Sequence, residues 1–119
     1  MTPEQRFKKR IRTALVLMGW DVQTIETSTG RGVPDLNVSH AHIGEFWLEL
    51  KYGSATPDVR PEQNAWLTRA AMHGRRCAVV WGWDKGVNSF YIRWYTKTGN
   101  QFVVSGDNLS TLLFNHTTA

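Results

Sequence analysis

The chain has 119 residues, room for one domain with a real core and not for two. Its 41% hydrophobic and 20% charged residues exclude a disordered chain, and no apolar run approaches the roughly 20 residues that span a bilayer. A net charge of +4 points to a polyanionic partner. The single Cys77 excludes an internal disulfide and suits a reducing compartment. With no signal-peptide core or cleavage site at the start, the reading expects a cytoplasmic protein.

In chain order, Thr2-Pro3-Glu4-Gln5 reads as a helix start, with Thr2 as cap, Pro3 in the first position and Gln5 closing a capping box. Phe7, Ile11, Ala14, Leu15 and Met18 recur at helical spacing until Gly19. Carried backwards, that stripe lands on Glu4, a carboxylate placed either to favour the helix N-terminus or to reach a site at the sheet edge. Residues 21–26 read as a short strand, followed by the small, basic loop Thr27-Ser28-Thr29-Gly30-Arg31-Gly32.

Residues 33–51, VPDLNVSHAHIGEFWLELK, read as a hairpin. Alternation puts Leu36 and Val38 on one face with Phe46, Leu48 and Leu50. Asp35 and Asn37 fall on the other face, as do Glu45, Trp47, Glu49 and Lys51. A turn centred near His42 sets Asp35 opposite Glu49, and opposed Cβ atoms in an antiparallel pair lie about 4.5–5.5 Å apart. Two opposed carboxylates repel, and a hard cation such as Mg²⁺ held between them removes the repulsion. Lys51 then stands where it could meet a phosphate or an attacking water.

A polar connection leads to Pro61, which starts a second helix with Trp66, Leu67, Ala70 and Ala71 as its stripe and Gly74 as its stop. Gln63 stands one turn before Leu67. Residues 77–81 form a continuous apolar run suited to a buried strand. Residues 89–95 and 101–104 read as strands, and a short helix follows from Asn108. The order is α/β with a mixed sheet in a single domain, 1–119.

Other residues carry weaker signals. His40 and His42 share a face but have no third ligand nearby, so a polar loop is the better reading. Ser28, Thr29 and Gly30 offer donors to a phosphate without the Walker lysine pattern. The six tryptophans could stack bases or sugars, yet Trp66, Trp81 and Trp83 suit packing better. Trp47, on the face of Glu49 and Lys51, is open to either role.

Glu4 on a first helix, GVPDLN, ELK, and RPEQNAWL entering a second helix together resemble the PD-(D/E)XK nuclease superfamily. The likeness spans roughly residues 4–83 and is greatest to small stand-alone VRR-NUC proteins, and more distantly to archaeal-type Holliday junction resolvases. It implies a restriction-endonuclease-like α-β-β-β-α-β core. It also implies Mg²⁺ or Mn²⁺ held by Asp35, Glu49 and the Leu50 carbonyl, with Glu4 touching the metal directly or through water. Lys51 would orient the attacking water and steady the phosphate, and Gln63 would sit beside the site. Independently of the resemblance, Arg31 and Ser28 of the basic loop are expected to join Lys51 in holding DNA. The function that the resemblance implies is metal-dependent DNA cleavage in recombination or repair, in a bacterial or virus-infected cell, by a homodimer acting on four-way junctions. The alternatives are a nicking, flap or restriction-type nuclease, and a catalytically silent nucleic-acid-binding domain.

Overall fold

The computed structural model describes residues 1–25, 32–53, 56–82 and 90–116. Helix α1 (Pro3–Leu17) begins as its sequence dictates: the Gln5 N–H donates to Thr2 Oγ1, and the Thr2 N–H donates to Gln5 Oε1. Phe7, Ile11 and Leu15 are fully buried. The predicted stripe is narrower than its spacing suggested. Ala14 is half-buried and Met18 is 51% exposed, because the chain turns after Leu17 and buries Trp20 instead.

The elements that follow are β1 (Asp21–Thr24), β2 (Leu36–His40), β3 (Gly44–Tyr52), α2 (Pro61–Met72), β4 (Cys77–Gly82), β5 (Phe90–Tyr95), β6 (Gln101–Gly106) and α3 (Leu109–His116). The strands form one six-stranded sheet in chain order. All neighbours are antiparallel except β3 and β4, whose parallel pairing is spanned by α2. The expected mixed sheet is therefore present, and β5, β6 and α3 extend it beyond the predicted core.

Alternation sends the two sides of the sheet to different helices. Leu36, Val38, Phe46, Leu48, Leu50, Val80 and Ile92 pack with Phe7, Ile11, Leu15 of α1 and Leu109, Leu113 of α3. Cys77, Val79 and Trp81 pack on the other side with Leu67, Ala70 and Ala71 of α2. The Cys77 thiol donates to the Leu67 carbonyl at 3.2 Å, and burial pushes its pKa up to about 12, which makes it inert.

In the β2–β3 hairpin His40 pairs with Gly44 and Leu36 with Leu48, so the turn is centred on His42 as the alternation required. Gly44, at φ +99°, takes the backbone through the left-handed region as the turn closes. The strand itself starts later than the reading from residue 33. Pro34 has no N–H to give a ladder, and Asp35 lies in a bend just outside β2. His40 is a packing residue, its ring against Trp20 and Phe114 at 5.2 and 5.0 Å. Among the described residues no helix is long and apolar enough to cross a membrane.

Candidate active site

The late start of β2 opens a notch in the sheet, and the charged side chains gather there. Where the ladder would continue past Leu36, Asp35 Oδ2 accepts the Leu50 N–H at 2.9 Å. The Asp35 carbonyl accepts the Ile25 N–H at 2.8 Å, which ties the bend to the end of β1 as well. Along β3, Trp47 donates toward the β4 side, to the Arg76 carbonyl, whereas Leu50 donates toward Asp35. The two backbone polar groups of a strand residue lie on one edge, so the Leu50 carbonyl also faces this notch.

Glu49 points to the α2 side and is only 3% exposed. Its Oε2 accepts Gln63 Nε2 at 2.7 Å and lies 3.4 Å from Lys51 Nζ. Gln63, third residue of α2 and itself buried, uses its other end equally fully. Its Oε1 accepts Lys51 Nζ at 2.9 Å and the Arg60 N–H at 3.2 Å. One amide thus caps α2 and fixes both the carboxylate and the ammonium of β3. Its orientation follows from its partners, because reversal would set an amide oxygen against the carboxylate.

Burial raises the Glu49 carboxyl to about 7, and the negative Asp35 pushes in the same direction, while Lys51 and then Lys8 pull it back. Asp35 and Glu49 therefore repel each other through a site that water screens poorly.

From the opposite layer, α1 contributes Glu4 and Lys8. Lys8 Nζ lies 3.7 Å from Glu4 Oε1 and 3.8 Å from Asp35 Oδ2. Glu4 is largely exposed and connects to the carboxylate pair through Lys8. Sequence reasoning did not single out Lys8. The usable signal was its position one helical turn after Glu4, the spacing at which acid and base meet on a helix.

The structure brings Glu4, Asp35, Glu49, Leu50, Lys51 and Gln63 to one end of the sheet. Arg31 and Ser28, expected to hold DNA, lie outside the described residues. Trp47 packs on Trp66 of α2, ring centroids 5.4 Å apart, and donates from Nε1 to Glu45 at 3.0 Å, which makes it a packing residue.

Gly32 joins the loop before Asp35 to the start of α2. It is buried at φ +76°, and a Cβ there would run into the Glu62 carbonyl and the Gln63 backbone nitrogen. Gly32→Ala is expected to lower the melting temperature by about 5–10 °C, from the left-handed backbone together with the collision. Thermal unfolding followed by circular dichroism checks this, and an unchanged midpoint would mean that the first turn of α2 yields easily.

The donor set suits a hard divalent cation. Two carboxylates and a backbone carbonyl converge, and Glu49 is kept from ionising partly by its anionic neighbour, a demand for positive charge between them. Among the described residues, no group of three or more His, Cys, Asp or Glu is close enough to hold a metal by itself.

The fold is similar to that in the 1.6 Å structure of Archaeoglobus fulgidus Hjc, a Holliday junction resolvase from an archaeal hyperthermophile. The likeness covers 90% of this chain and 92% of that one, with a TM-score of 0.57 at 14% identity, and it shows the fold alone. No family model matches the chain, and no curated protein does.

Proposed function

We propose that this protein is a metal-dependent endonuclease that hydrolyses DNA phosphodiester bonds, with selectivity for branched DNA and for four-way junctions above all. The observation that carries the reading is the buried Glu49, set against Asp35 and held by Lys51 and Gln63. Asp35, Glu49 and the Leu50 carbonyl would hold Mg²⁺ or Mn²⁺, and Glu4 would join directly or through water. Bound there, such an ion would supply a lowered pKa for a water and charge neutralisation on the phosphoryl oxygens. Lys51 orients the attacking water and stabilises charge on the phosphate. Gln63 holds Lys51 and Glu49 in one fixed relation, so neither side chain has to be ordered during the reaction. Leu50's N–H keeps the Asp35 carboxylate turned toward β3.

The junction preference draws support from the resolvase-like fold. Cutting two strands of a two-fold junction needs two such sites, so the proposal includes a homodimer. The finer likeness to small VRR-NUC proteins rests on the sequence motifs, and a role in recombination or repair follows from the substrate. Purified protein with Mg²⁺ is tested on labelled linear duplex, flap and four-way junction, and the junction is expected to be cut fastest. Equal cutting of all three would remove the branch preference and leave a general nuclease. Binding without cutting in either Mg²⁺ or Mn²⁺ would make the protein a silent binding domain.

A further inference from the structure

Five titratable side chains share the notch at the start of β2: the carboxyls of Glu4, Asp35 and Glu49, and the ammonium groups of Lys8 and Lys51. The two lysines stand differently. Lys51, on the α2 side of the sheet, is locked by Gln63 and Glu49. Lys8 arrives from α1 with its Nζ at 3.7 and 3.8 Å from two separate carboxylates, and its charge is felt at the third. Those separations are attractive in charge but too long for good N–H···O hydrogen bonds. Its side chain is 29% exposed, and a flexible four-carbon stem lets the head group move without its backbone. The helix beneath is anchored by the fully buried Phe7 and Ile11.

We propose that Lys8 is the site's own counter-cation, competing with a divalent ion for Asp35 and Glu4 and withdrawing toward solvent when that ion binds. This rests on the metal-dependent reading above and adds a regulation of the same site. Asp35 and Glu4 leave this side of the notch negative, Glu49 adds to it whenever it is ionised, and the Lys8 charge relieves that repulsion. A divalent ion on Asp35 would repel the Lys8 ammonium, which, unlike Lys51, is not locked by Gln63 and is free to swing outward. Lys8 thereby raises the ion concentration at which the site fills, and stabilises the protein below that concentration.

The test compares the parent with Lys8→Met, which keeps length and removes charge, Lys8→Gln as a second neutral variant, and Lys8→Arg, which keeps the charge. Mn²⁺ affinity is measured by calorimetry at about pH 8.5, above the Glu49 pKa of about 7, with thermal melts in chelator alongside. The neutral variants are expected to bind Mn²⁺ about tenfold more tightly, from removal of one close positive charge. In chelator they should melt below the parent, and the difference should close as Mn²⁺ is added. Lys8→Arg should stay close to the parent. A merely structural lysine would lower affinity when removed, so unchanged or weaker Mn²⁺ binding in both neutral variants overturns the proposal. That result with normal Mn²⁺ binding by the parent removes the role of Lys8 alone. A parent that binds no Mn²⁺ removes the metal-dependent reading and this one together.

Discussion

Glu49→Gln is expected to lower cleavage by about a thousandfold or more, the equivalent of roughly 4 kcal/mol in the barrier. In chelator at pH 8 it should nevertheless melt roughly 5 °C above the parent. The loss follows from removal of an anionic oxygen from the proposed cation site. The gain follows from the raised carboxyl. The folded protein holds that proton up to about pH 7, whereas the unfolded chain releases it near 4.5. Between those values the native state binds more protons, so stability from this group is fullest below the lower one. It falls as pH rises and is fully lost above the upper one. The parent's melting temperature in chelator should therefore drop between about pH 4.5 and 7 by an amount that Glu49→Gln does not show. The new amide can still accept from Gln63 Nε2, so packing survives. Asp35→Asn should match the loss of cleavage. Persistent Mg²⁺-dependent cutting in either variant would put the ion elsewhere, and a pH slope equal to the parent's in Glu49→Gln would assign the titration to another group.

Lys51→Ala is expected to cut the rate by about a hundredfold or more, in the range of a lost proton-handling group, while keeping Mn²⁺ affinity at high pH. An ammonium donates no electron pair to a cation, so its removal leaves the donor set whole. The choice of pH matters. Lys51 holds the Glu49 carboxyl down, and without it the ion must displace a proton at pH 7. Titration at about pH 8.5 separates the two effects. A severe loss of Mn²⁺ affinity at that pH would make Lys51 a structural strut, holding Glu49 and Gln63 in place.

Much of this architecture was legible in short stretches. The alternation of residues 36–50 carried the hairpin register, since a slip of one residue would have sent Leu36, Phe46 and Leu48 to the wrong side. Thr2-Pro3-Glu4-Gln5 marked the start of α1, and Gln63, one turn before Leu67, pointed inward as its spacing implied. What was illegible depended on distant contacts. Nothing near Lys8 says that α1 crosses the sheet where β2 has not yet begun. Nothing near Gly32 says that α2 begins against it. Met18 keeps the helical period and is exposed all the same, because the burial at that end of α1 is taken over by Trp20, whose Nε1 donates to Ser110 at 2.9 Å.

The sheet follows the order of the chain, so nearly every strand finds its partner next door, and the β3-to-β4 crossing is the widest loop to be closed. Asp35 and Glu49 stand on the near side of that crossing, at the mouth of the tightest hairpin, whereas Gln63 arrives with the helix inside the crossing. The two carboxylates are thus driven together before their clamp exists. Their repulsion falls on the route into the native state, whereas the burial of Glu49 under α2 comes later, so Glu49→Gln should both fold faster and unfold more slowly than the parent. Stopped-flow refolding in chelator reads this directly, and a variant that only unfolds more slowly would place the hairpin late. The chemistry proposed here would then shape how quickly the protein forms, before it shapes anything the protein does.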